Sequence, residues 1–125
     1  EIKFSSYFDL STAFALRRFL KNNKTNHRIL VSSFNPLIVF FSRWLIPSTR
    51  TGFLFESANM KKWINFCHPD MVHPRIDFLD EDIVKKCKAK NLPINVWTVN
   101  SSRQINNCKE LNVDGIITDR YFIKV

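Results

Sequence analysis

Short apolar runs rich in β-branched and aromatic residues alternate with amphipathic helical stretches along the whole chain, and no other feature narrows the fold as far. Arg28 to Phe34, Thr51 to Glu56, Ile94 to Val99 and Val113 to Asp119 read as strands. A strand end at residues 1–4 and a brief extended piece at Asp70 to Pro74 complete the set. The helices between them have legible ends. Asp9 can cap a helix that carries Leu10, Ala13, Phe14, Leu16 and Leu20 on one face, and Lys21 to His27 is a polar turn after it. Asn35-Pro36 is a cap followed by proline at the first helical position, so a helix runs from Pro36 to about Leu45, and Pro47 stops it. A short helix or turn covers Asn59 to Phe66. Asp80-Glu81-Asp82 sets three carboxylates at the start of a helix that buries Ile83, Val84 and Cys87. Asn100 or Ser101 caps a last helix with Ile105, Cys108 and Leu111 inward. Strands that are apolar throughout, separated by helices, argue for an α/β fold with a parallel sheet. No linker, repeat or low-complexity segment divides residues 1–125.

Composition removes several function classes. The chain has 2 glycines where its length would carry about 9 at ~7% usage, so Gly-rich phosphate loops of the Walker or dinucleotide type are excluded. Asn91 and Asn112 stand at helix ends where glycine is the usual terminator, and asparagine is the next best residue for left-handed backbone. The net charge of +8 suits either an anionic ligand or a lysine-rich solvated surface, and the scatter of the lysines favours the solvated surface. The tightest cluster, Lys85 to Lys90, has no interleaved aromatics, which argues against a nucleic-acid partner. A weaker reading is an anionic membrane surface, met by the charge and the Leu37 to Ile46 stretch.

No apolar run reaches the roughly 18 residues of a membrane span, and the N-terminus does not read as a signal peptide. It also lacks an initial Met, which leaves room for residues upstream. Cys67, Cys87 and Cys108 match no zinc spacing and read as free thiols of a reducing, cytoplasmic compartment.

In parallel α/β folds the functional groups gather at the C-terminal ends of the strands. Those ends carry Lys3, Ser33, Phe34, Glu56, Trp97, Asn100 and Asp119. Here the sequence resembles a known family. Val96-Trp97-Thr98-Val99-Asn100 followed by Val113-Asp114-Gly115-Ile116-Ile117-Thr118-Asp119 is similar to the closing motif pair of the glycerophosphodiester phosphodiesterases. Ser32-Ser33-Phe34-Asn35 resembles that family's mid-barrel Ser-Phe strand, and His73-Pro74 its short segment before the penultimate helix. Glu1-Ile2-Lys3 resembles the strand whose glutamate binds the metal. The five motifs occur in the family's order.

The resemblance implies the C-terminal half of a (β/α)8 TIM-type barrel. It implies hydrolysis of a glycerophosphodiester to glycerol 3-phosphate and an alcohol, with a divalent cation, calcium or magnesium. The family's opening His-Arg-Gly, its Glu-x-Asp pair and its second catalytic histidine have no match here. His27, His68 and His73 correspond to none of the catalytic ones, so the isolated chain is expected to be inactive. Glu1 matches the third metal ligand. Lys3, two residues on, points to the same face and suits a phosphate oxygen. Trp97 is implied as the wall of the substrate pocket, with Phe34 and Leu54 as weaker candidates. Asp119 reads as a helix-capping or loop-fixing residue, and Asp114-Gly115 as the turn into the last strand. The expected partners are the glycerophosphodiester and either the missing N-terminal half of the barrel or a second copy. The competing reading is a non-catalytic or degenerate barrel fragment that binds an anionic ligand or a partner.

Overall fold

A computed structural model describes residues 1–24 and 28–121, so the sequence reading of His27 lies outside the described residues. Helix α1 (Ser11–Asn22) is followed by strand β1 (Leu30–Ser33), helix α2 (Pro36–Leu45) and strand β2 (Arg50–Phe55). A 3-10 turn at Ala58–Trp63 leads into the short helix α3 (Ile64–Cys67) and strand β3 (Met71–Pro74). A second 3-10 turn at Ile76–Phe78 precedes helix α4 (Glu81–Ala89), strand β4 (Asn95–Val96), helix α5 (Ser102–Glu110) and strand β5 (Gly115–Ile116).

The strands lie side by side in chain order, and every pairing is parallel. β1 pairs with β2 and β2 with β3, while β4 pairs with β5. Single bridges from Val72 to Ile94 and from Arg75 to Trp97 join the two ladders. Residue 2 extends the order at the other edge, where the Ile2 amide donates to the Ser32 carbonyl at 2.7 Å. An order without reversal keeps every crossover helix on one face of the sheet. Val31, Phe53, Phe55, Val72, Ile94 and Val96 point to that face and are buried. They meet Val39, Cys67, Ile83, Val84, Cys87 and Cys108 from the helices, and Ile2, Ala13, Val31 and Ile38 form a second cluster nearer the N-terminus.

The alternate residues point to the opposite face, which no helix covers. Leu54 and His73 are buried there, whereas Leu30 and Ile117 are 39% and 43% exposed. The last two strands are short. The expected strand over Val113 to Asp119 reduces to Gly115–Ile116, the two residues that pair with β4. The expected strand over Ile94 to Val99 keeps Asn95–Val96 and single bridges on either side of them. Phe14, placed inward by its spacing, is 50% exposed. Ala13 is the residue of α1 that turns fully inward, with Leu16 and Leu20 half-buried beside it.

The helix ends follow their local chemistry. Asn35 accepts from the Leu37 amide at 2.9 Å, and Asp80 from the Ile83 amide at 2.7 Å. Ser101 rather than Asn100 is the cap of α5, in a reciprocal box with Gln104. Asp9 accepts from the Ser11 amide at 3.0 Å at the start of α1. Asn91 and Asn112 adopt φ of 53° and 52°, as their positions at helix ends require, and His68 closes α3 in the same region at 44°. All three thiols are free and buried. Burial pushes the Cys67 thiol up to about 12, so it stays protonated and inert. No described helix is long and apolar enough to cross a membrane.

Candidate functional site

Each strand delivers one side chain to the same end of the sheet, the end where the chain leaves for its helix. The parallel register puts Glu1 and Lys3, then Phe34, Glu56, Arg75 and Trp97 on the helix-free face. Glu1, Lys3, Phe34 and Glu56 line one open cavity of about 400 Å³, together with Tyr7 and Met60. Trp97 stands next to it. Its ring meets Phe34 edge-on with centroids 5.3 Å apart, and its Nε1 donates to the His73 carbonyl at 2.7 Å. The four residues singled out from sequence therefore share one mouth: Glu1, Lys3 and Phe34 on the cavity, Trp97 behind Phe34. Leu54 is buried one step below Glu56 on the same strand face.

Arg75 is the residue that sequence reading missed. It follows Pro74 at the end of β3, and its Nη1 lies 3.6 Å from Glu56 Oε2. Its Nε donates to Asp77 at 2.9 Å, and its guanidinium sits 5.3 Å over the Phe78 ring. The available signal was alternation. Once Pro74 is placed in a strand, Arg75 must share a face with His73. The mouth thus holds two cations, Lys3 and Arg75, among three carboxylates, Glu1, Glu56 and Asp77. Arg75 is engaged by Glu56 and Asp77, so Lys3 is the cation of this rim that can meet a phosphate, while the aromatic pair covers an apolar surface.

At the far edge Asn100 ties down the last loop. Its Oδ1 accepts from the Thr118 hydroxyl at 3.0 Å and from the Asp119 amide at 3.1 Å, and its Nδ2 donates to the Asp119 carboxylate at 3.2 Å. Asp119 is therefore a loop-fixing residue, as its sequence position suggested. Asp114 accepts from the Ile94 amide at 2.8 Å. Gly115 departs from its expected role as a turn residue. It lies within β5, and a Cβ there would come within 2.4 Å of Asn95 Oδ1, so close approach is what demands glycine.

His73 is not at the mouth. It is 1% exposed, one layer down, with Nδ1 3.3 Å from the Asn95 carbonyl and Nε2 without a hydrogen-bond partner. Burial lowers its affinity for a proton, and the Asn95 carbonyl offsets this in part. The unfolded chain then binds a proton below the ordinary pKa of 6.5 that the folded chain does not. Stability falls as pH drops through 6.5 toward the lower folded value. Urea unfolding between pH 7 and pH 5 should show this loss, and His73→Gln should flatten it. An unchanged slope in that variant would place the proton elsewhere.

The model of the glycerophosphoryl diester phosphodiesterase family matches residues 3–122. A glycerophosphodiester phosphodiesterase of Caldanaerobacter subterraneus subsp. tengcongensis is 24% identical over 106 residues, which cover 83% of this chain and 44% of that protein. An Oleispira antarctica phosphodiesterase, solved with the product sn-glycerol-3-phosphate, superposes with a TM-score of 0.76 at 19% identity. The match covers 88% of this chain and 46% of that one. The Thermotoga maritima glycerophosphodiester phosphodiesterase gives 0.68 at 20% identity, over 90% of this chain and 51% of its own. The chain thus spans about half the length of these relatives, and their fold is a TIM barrel. On the match of nearly its whole length, the chain belongs to the glycerophosphoryl diester phosphodiesterase family.

Proposed function

We propose that this chain is the pocket-forming C-terminal half of a (β/α)8 barrel that hydrolyses glycerophosphodiesters to glycerol 3-phosphate and an alcohol. The observation that carries the reading is the convergence of Lys3, Phe34 and Glu56 on one cavity at the strand ends, with Trp97 against Phe34. A phosphodiester is anionic, and an ammonium held at the rim offsets that charge as it grows during attack. Lys3 takes this role. Trp97 and Phe34 wall the glycerol. Arg75, already engaged by Glu56 and Asp77, holds the rim carboxylates in place.

A divalent cation, calcium or magnesium, would neutralise the phosphoryl oxygens in such a barrel. Among the described residues no three His, Cys, Asp or Glu come together as a metal site. Glu1 and Glu56 offer two carboxylates at one cavity, whereas hard cations take about six oxygens or more. This donor set does not hold the ion by itself. In this reading Glu1 is one ligand, and the remaining ligands and the acid–base histidines come from the other half of the barrel or from a second copy. The half-exposed inner face, with Leu30 and Ile117 open, supports a covering partner.

Product binding tests the pocket on this chain alone. With Trp44→Phe and Trp63→Phe, Trp97 is the sole tryptophan. Titration with sn-glycerol 3-phosphate should shift its emission saturably, with Kd on the order of millimolar for half a pocket. Glycerol should not do so, and Lys3→Met should abolish the response. A signal indifferent to Lys3 would remove the assignment.

A further inference from the structure

One surface of the chain has no part in the barrel mouth. The rings of Phe41, Phe40, Phe66 and Trp63 touch in series across α2, the Ala58–Trp63 turn and α3, with centroids 5.3, 5.4 and 5.7 Å apart. Trp44 lies one helical turn on from Phe40 and Phe41 and is 75% exposed. Phe41, Trp63 and Phe66 are each about two-fifths exposed. A contiguous apolar patch of this kind on a helical surface marks an interaction site.

The missing barrel half does not cover it. α2 is flanked by α1 on one side and α3 on the other, both within this chain. A barrel closes through its outer strands and inner face, and the outer side of its helices stays on the surface. The exposed Ile116 and Ile117 of the last strand have such an explanation; Trp44 does not.

The elements that carry the patch hold no acidic residue of their own, and the acids that approach it are Asp70, which shares a cavity with Arg43, and Asp80, 3.5 Å from Lys61. From Leu10 to Phe55 the sequence has no Asp or Glu and seven Lys or Arg, and from Ser57 to Pro69 it again has no acid. Arg17, Arg18, Lys21 and Arg43 are exposed on α1 and α2, and Lys62 is exposed with its Nζ 5.7 Å from the Trp63 ring centre. Lys62 and Arg43 thus stand next to Trp63 and Trp44. Tryptophan seats its ring at the boundary of headgroup and acyl chain, and lysine and arginine meet anionic headgroups beside it. A protein partner would have to bring a complementary acidic surface, whereas an anionic bilayer supplies the charge and the apolar layer together.

We propose that the outer face of α2 and α3 docks on an anionic lipid bilayer, with Trp44, Trp63 and Phe66 inserted and Lys62 and Arg43 on the headgroups. This is independent of the catalytic reading. Neutral and anionic vesicles separate the two contributions, and flotation excludes aggregated protein, which sinks. The 125-residue chain should float with phosphatidylcholine vesicles containing 30% phosphatidylserine and hardly with pure phosphatidylcholine. Trp44→Ser should weaken the partition roughly tenfold. Lys62→Glu should weaken it by at least about fivefold, whereas Lys109→Glu on exposed α5 makes the same change in net charge and should leave it nearly unaltered. Equal loss in Lys62→Glu and Lys109→Glu would reduce the effect to bulk charge and overturn the proposal. So would absence of flotation, above all if Trp44→Ser then converts an oligomer to a monomer, which would assign the patch to a protein interface.

Discussion

Gly52→Val should destabilise the chain by about 3 kcal/mol. Gly52 lies in the middle of β2, and a Cβ there would sit 2.2 Å from His73 Nε2 and 2.6 Å from Cδ2. Neither partner can yield cheaply. His73 is 1% exposed and held through Nδ1 near the Asn95 carbonyl, and Gly52 is paired on both sides, to Ser32 and Met71. The backbone at Gly52 is ordinary, so the demand for glycine is steric and comes from the neighbouring strand. That cause is separable by a double-mutant cycle. Gly52→Ala combined with His73→Ala should cost clearly less than the sum of the single variants in urea unfolding. Additivity within about 0.5 kcal/mol would show that the ring is not what excludes a side chain.

The largest effect on activity should come from Lys3. In the catalytically complete protein, Lys3→Met would remove the charged contact to a phosphate oxygen proposed above, worth about 2 kcal/mol, so kcat/KM should fall roughly thirtyfold. Lys3 is exposed on the cavity wall, and folding should be unaffected. Trp97→Ala should also lower kcat/KM, but with a stability cost of about 2 kcal/mol. It gives up the Phe34 contact and leaves the His73 carbonyl without its indole donor. Trp97→Phe should retain most of the stability. Thermal unfolding alongside kinetics separates the two: a Lys3→Met variant that unfolds early, or that keeps full kcat/KM, would remove Lys3 from the phosphate.

Much of this was legible because it is local. Asn35-Pro36 names the start of α2, and Asp80 the start of α4, since a cap acts within three residues of itself. Asn91 and Asn112 announce left-handed backbone for the same reason. The order of strands and the gathering of Lys3, Phe34 and Trp97 followed from alternation and from motif order. What escaped depends on neighbours distant in sequence. Gly52 looks like a weak point of a strand until the His73 ring, 21 residues on, is seen to occupy the space of its side chain. Arg75 joins the rim only once the β2–β3 register is known. Phe14 has the spacing of a core residue, yet half of it meets solvent, because Ala13 is the residue that faces the sheet. Val113 to Asp119 has the composition of a full strand, but among the described residues only Gly115 and Ile116 find ladder partners, on β4.

The decisive measurement is release of glycerol 3-phosphate from glycerophosphocholine, compared between the 125-residue chain and the product of its full coding sequence, with calcium, with magnesium and with chelator. The account predicts no turnover by the 125-residue chain under any condition, and cation-dependent, chelator-sensitive turnover by the full product. Metal-dependent hydrolysis by the chain alone would contradict it, and so would a folded full product that binds glycerophosphocholine without cleaving it.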